Sequence, residues 1–190
     1  YMENGYVNVG GNRVDGEAGI IFLGNIDVND MDAGRDMFRE LPDIFRDSAL
    51  LQRVHGFVPG KFIPALSPNM YMDGWALNTE YFTEIIHQLR NPAETIRYRA
   101  LVEELVSVSG SDISGREQEA VLRLCTAYLK LFFPHANKEL IQGLKFKQDF
   151  SKYCLQPAKQ MQYTVLQQLK IINPNEFGSK QLAAYSVRYE

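Results

Sequence analysis

Three polar residues in this chain are of types that handle phosphate, and their neighbours indicate what each could do. Asn25 closes the apolar run of "AGIIFLGNID", at the C-terminal end of an expected buried strand. Open α/β sheets place ligand-contacting residues at such ends. A neutral amide there can hydrogen-bond a phosphate or hold an attacking water. The plainer alternative is an Asx turn leaving the strand. Arg53 ends "SALLQRVHG", where a helix hands over to a second expected strand. A guanidinium at such an edge can reach a phosphate on a neighbouring subunit and stabilise charge that develops in phosphoryl transfer. Its alternative is a surface arginine paired with Asp43 or Asp47. Arg116 stands in the first turn of an expected helix, in "SGREQEAV", where partial positive charge already disfavours cations. Arginine and helix end would both suit an anion, against the alternative of an exposed head group in water.

A fourth stretch, "HGFVPGKF" at 55–62, imitates a phosphate-binding loop. In G-x-x-x-x-G-K-[ST] the first glycine would fall on His55 and the Mg²⁺-holding hydroxyl on Phe62. Gly60-Lys61 is therefore read as a turn between apolar runs, with Pro59 as its punctuation.

The elements that must position these residues change along the chain. "YVNV" and "RVD" flank Gly10-Gly11-Asn12, the pattern of a hairpin, and Ala18 to Leu23 reads as a central strand covered on both faces. Short helical pieces follow, broken near Pro42. From residue 78 the pattern is helical: Asn78 or Thr79 to Leu89, then Asn91-Pro92-Ala93-Glu94 opening a helix to about Val106. Ser114-Gly115-Arg116-Glu117 reads as a capping box for a helix ending before Pro134. Asn137 to about Tyr153 and Pro157 to about Ile172 read as two more. The fold class is therefore α/β to mainly α, with residues 1–75 strand-bearing and 76–190 helical.

Composition sets the bounds. The chain has 190 residues, 45% hydrophobic and 23% charged, the profile of an ordinary globular chain. No apolar run approaches the ~20 residues of a membrane-spanning helix, and the start lacks the order of a secretory signal. Cys125 and Cys154 share no metal-like spacing and read as reduced core thiols of a cytoplasmic protein. His55, His87 and His135 are too far apart for a local zinc motif. Charge is uneven: residues 1–115 carry 9 Lys/Arg against 17 Asp/Glu, and residues 116–190 carry 11 against 6. That suits solvated helix faces, an assembling subunit or contact with a polyanion.

Longer blocks carry a resemblance. "GEAGIIFLGNID", "MFRELPDIFRDSALLQRVHGFVPGKFIP" and "GWALNTEYFTEIIHQLR" resemble the ATPase region of the Lon-like proteins of BREX phage-defence systems. The likeness continues through "REQEAVLRLCTAYLKLFFPH" and reaches "QMQYTVLQQLKIINPNEF", so it covers nearly the whole chain. It departs at "PGKFIPA", where that family has "PGWEIPK".

The resemblance implies a ring-forming AAA+ ATPase related to Lon and, more distantly, to replicative MCM helicases. The chain would be the C-terminal part of the AAA+ core (1–75) followed by its helical lid (76–190). The phosphate-binding loop and acidic Walker B strand would lie upstream of Tyr1, and no Ser–Lys protease dyad can be assigned. Asn25 would be sensor 1, Arg53 the arginine finger, Arg116 sensor 2, and the hairpin around Gly10 a pore-facing element. ATP and Mg²⁺ would be cofactors of the longer protein, bound poorly by this segment alone. A homo-oligomeric ring, other BREX components and DNA would be its partners, with no membrane. From a different class comes a non-enzymatic helical adaptor that grips DNA or an acidic partner through Lys138, Lys145, Lys147 and Lys152.

Overall fold

The computed structural model describes residues 6–15, 19–27, 29, 31–32, 34–39, 42–71, 73–110 and 113–189. It is mainly helical, with two small antiparallel sheets. β1 (Tyr6–Val9) and β2 (Asn12–Asp15) form the expected hairpin, with Tyr6 opposite Asp15 and Val9 opposite Asn12. Gly10 and Gly11 make its two-residue turn with φ of +59° and +83°, the left-handed pair that a tight hairpin turn requires.

The expected central strand is not formed. Ala18 lies outside the described residues, and Gly19 to Asp27 adopts no regular structure, leaving Ile21 85% and Leu23 94% exposed. A doubly covered strand needs a neighbour on each edge for its backbone groups. No strand among the described residues pairs with it. Within it the Phe22 ring meets Phe45 edge-on at 5.1 Å, and just beyond it Ile26 packs against a core.

Arg53 follows α1 (Ser48–Leu51), a single turn capped by Asp47, whose carboxylate accepts the Ala49 N–H at 2.7 Å. Residues 58–71 carry two 3₁₀ turns, Gly60–Phe62 and Pro68–Met70. In the first, the Lys61 amine lies 5.2 Å over the Phe62 ring, so "PGK" is a turn, as its residues suggest. α2 (Thr79–Gln88) starts where expected, with the Asn78 side chain accepting the Glu80 and Tyr81 N–H groups, but it buries none of its residues.

The helical part is self-packed. α3 (Pro92–Leu105) is capped by Asn91 and runs straight into β3 (Val106–Ser109). α4 (Gly115–Phe132) carries Arg116 in its first turn. The Ser114 capping box is not made: Ser114 gives no side-chain cap. Glu117 instead accepts the Ala183 N–H and the Tyr185 hydroxyl, at 3.0 and 2.9 Å. That carboxylate is more useful tying down the chain's last strand than closing its own helix end.

α5 (Leu144–Phe150), a π-helical turn (Ser151–Leu155) and α6 (Gln156–Ile172) follow one another without a break, where two separate helices were expected. Pro157 opens no new helix. It has no N–H to bond residue 153, and the wider π turn just before it lets the helix continue past that gap. After α7 (Pro174–Phe177), β4 (Ala184–Val187) returns to pair antiparallel with β3, Val106 opposite Val187 and Val108 opposite Tyr185.

Two cores result. Val102, Leu105, Val121, Cys125, Leu129, Phe150, Cys154 and Ala158 centre the first, built from α3, α4 and the α5–α6 rod and closed by Tyr185 and Val187. Both cysteines are buried free thiols, Cys125 pushed up to about 12 chiefly by burial. The second core lies on another stripe of α6: Val165, Leu166 and Leu169 pack against Met37, Phe38, Leu51 and Phe177. α6 thereby fixes the segment that bears Arg53 to the helices that bear Arg116.

Candidate functional site

Polar clamps set that junction. Gln162 on α6 donates to the carbonyls of Val54 and His55, at 3.4 and 2.5 Å. Gln168, fully buried, accepts the Met37 N–H at 2.9 Å and donates to the Arg35 carbonyl at 2.8 Å. Between the clamps Gly56 approaches Met161 so closely that a Cβ on it would lie 2.7 Å from the thioether sulfur.

The result is a cleft of about 220 Å³ between the chain after α1 and the start of α4. Gln52, Arg53 and His55 line one side, and Arg116, Glu119 and Arg123 the other. The three α4 residues share a helix face by their spacing of three, four and seven. Arg53 is steadied by its Nη1, which donates to the Ala49 carbonyl at 2.5 Å. Arg116 Nη1 donates to Gln52 Oε1 at 3.1 Å, across the cleft. Arg123 Nε donates to Glu119 Oε1 at 2.6 Å, and its Nη1 is 3.5 Å from His55 Nε2.

Electrostatics follow from that inventory. Among the described residues, three guanidiniums and one carboxylate line the cleft, and Arg99 also claims that carboxylate, Nη2 to Oε2 at 2.8 Å. Burial pushes the Glu119 carboxyl up, but hydrogen bonds from Arg99 and Arg123 outweigh it and hold it below its ordinary value. His55 is held below the usual imidazole range by burial first and then by the Arg123 charge, with Glu119 opposing. Such a lining suits a polyanion with several acceptor oxygens.

The structure brings two of the three sequence-derived candidates together. Arg53 and Arg116 share the cleft, while Asn25 is exposed and is not among its lining residues. His55 and Arg123 were not candidates. Arg123 could have been found from its seven-residue spacing to Arg116 on one helix, whereas nothing local marks His55. Of the lysines of the adaptor reading, Lys147 is buried, Lys145 is exposed and tied to Asp149 at 2.7 Å, and Lys138 and Lys152 are exposed.

The cleft's donor set fits phosphate. It does not fit a divalent cation, because the one carboxylate among its described lining residues is already shared by two arginines, and no group of three His, Cys, Asp or Glu suited to a metal occurs among the described residues. A larger cavity of about 780 Å³ adjoins it between the end of α2, α3 and α4. It is mostly apolar, and there Lys130 donates to the Leu89 carbonyl at 2.8 Å and to the Thr95 hydroxyl. No helix among the described residues is long and apolar enough to cross a membrane.

Comparison with known proteins gives the cleft a context. The Lon-like protease BrxL of Escherichia coli O9:H4 (strain HS) is 26% identical over 179 residues, which is 93% of this chain and 24% of that protein. The Lon-like protease BrxL of Bacillus cereus (strain H3081.97) is 25% identical over 180 residues, 93% of this chain and 25% of that protein. The chain thus spans about a quarter of the length of these curated relatives. Residues 1–183 match the family model described as Lon-like protease BrxL-like, ATPase domain, and the chain belongs to that family.

Proposed function

We propose that this chain supplies one face of an ATP site shared between subunits of a ring-forming AAA+ ATPase in bacterial phage defence. The carrying observation is the convergence of Arg53 and Arg116, from separate elements, on one cleft. In this reading residues 1–75 are the C-terminal part of the AAA+ core and 76–190 its lid with the helices that follow. The longer protein contributes the phosphate-binding loop and the Mg²⁺ ligands.

ATP supplies the phosphoanhydride whose cleavage drives the motor. Arg53 acts as the arginine finger, placing its guanidinium against the terminal phosphate of a neighbour's nucleotide and stabilising charge that builds during transfer. Arg116, tied across the cleft to Gln52, reads the same phosphate from the lid helix. Asn25, outside the cleft, serves as sensor 1 for the nucleotide of its own subunit and holds the attacking water. Asn25 and the arginines thus work on two different nucleotides. The cytoplasm, other BREX components and DNA complete the expected setting.

The test is made in the full-length protein that carries this segment. Arg53→Ala should lower ATP turnover by roughly 10³-fold or more, as finger arginines do, while fluorescent-nucleotide binding stays nearly intact. Loss of binding in step with turnover would refute the finger role. Of the four lysines named for the adaptor reading, one, Lys147, is buried.

A further inference from the structure

We propose that Arg123, steered by His55, is a third guanidinium of the cleft and contacts the same terminal phosphate as Arg53 and Arg116. The proposal rests on the ATP-site reading above and extends it to a residue which that reading leaves without a role. Arg123 lies two helical turns beyond Arg116 on the same face of α4, and both line the cleft. Its Nε edge is held by Glu119 at 2.6 Å, and its Nη1 is directed to His55 Nε2 at 3.5 Å. His55 is itself fixed from behind, because Gln162 holds its carbonyl. The guanidinium is therefore oriented from two sides, a forked donor set in advance for a planar or tetrahedral anion.

Size decides which part of a nucleotide this site can take. At about 220 Å³ the cleft falls short of the range that encloses a drug-sized ligand, roughly 300–1,000 Å³. A terminal phosphate is within that size. The lining offers no platform for a base, since His55 is the one aromatic ring among the described lining residues. The site is accordingly a clamp for the terminal phosphates of a ligand whose base and sugar are bound elsewhere. Glu119 works as its counter-ion: it keeps Arg123 in place and competes with the incoming anion, while Arg99 holds its other oxygen.

The probe is inorganic triphosphate, titrated at low salt into this 190-residue chain and followed through the arginine Nε–Hε resonances. The signals of Arg53, Arg116 and Arg123 should move together with one dissociation constant, and ATP or GTP should bind no tighter than triphosphate. Arg123→Gln should weaken triphosphate binding roughly tenfold, the loss of one charged hydrogen-bonding partner, and Arg123→Lys should weaken it less. Glu119→Gln should tighten binding by removing the competing charge. The backbone amide spectrum of each variant checks that the fold is kept. A still Arg123 signal while the other two titrate, or Arg123→Gln binding like the parent chain, overturns the proposal; so does an absence of triphosphate binding. Failure at Arg123 alone leaves the ATP reading standing on Arg53 and Arg116. Failure of ATP turnover in the full-length protein leaves a measured triphosphate clamp standing.

Discussion

The helices from α3 to α6 and the segments at 19–25 and 58–90 have similar proportions of apolar residues, used to opposite effect. In the helical part Val102, Val121, Cys125, Leu129 and Phe150 are fully or almost fully removed from water. In the other segments Leu23, Leu66 and Trp75 stand 94%, 83% and 99% exposed, and α2 buries nothing despite its amphipathic face. Burying apolar surface is the main favourable term in folding, and clustered exposure on this scale marks surface meant for contact. The helical part closes its own core. The other segments have their apolar faces turned outward, and in the proposed ring the rest of the ATPase module covers them. The arginine cleft lies where the two kinds of region meet, held by α6.

The sharpest way to break this comparison is a matched pair of truncations. Phe150→Ala should cost about 3–5 kcal/mol of stability in this chain, and Trp75→Ala should fall within about 0.5 kcal/mol. Urea unfolding measures both, and similar values would erase the distinction. At the join, Gln168→Leu strands the Met37 N–H and the Arg35 carbonyl, a loss of about 1–3 kcal/mol. Hydrogen exchange should show residues 35–38 opening before α3 and α4 do; simultaneous opening would contradict a separate join. Gly56→Ala drives a Cβ into Met161, with an overpacking cost of about 1–2 kcal/mol. It should also loosen triphosphate binding by displacing Arg53 and His55.

The smallest effect is on pH dependence. His55 titrates below its ordinary 6.5 in the folded chain. The unfolded chain therefore takes up that proton first as pH falls. The stability that neutral His55 contributes is fully present above the unfolded value and lost as pH drops below it towards the folded one. His55→Gln should accordingly lose less of its urea midpoint than the parent chain between about pH 7.5 and about pH 5.5. An equal loss would show that His55 is not held neutral in the cleft.

What the sequence disclosed follows from how local each cause is. Asn78 and Asn91 cap their helices through side-chain bonds a few residues long, and both starts were legible. β3 and β4 alternate as "VSVS" and "AYSV", a period-2 signal overshadowed by the long helices around them. Pro157 misled because a π turn absorbs its missing donor, and Ser114 because Glu117 has a better partner far along the chain. The strand at 18–23 was legible as an apolar run, but a strand is made by neighbours that no apolar run can supply. Arg53 and Arg116 could each be singled out by position. That they share one cleft, with His55 and Arg123, depends on the α6 clamps and was not readable from either.

The central claim is that Arg53 and Arg116 act as a unit on one terminal phosphate. A double-mutant cycle of ATP turnover in the full-length protein tests it most directly. Arg53→Ala and Arg116→Ala should each be severely impaired, and the double variant should be little worse than the poorer single one, since residues that act as a unit are strongly non-additive. Fully additive losses, or an Arg116→Ala protein with normal turnover, would contradict the account.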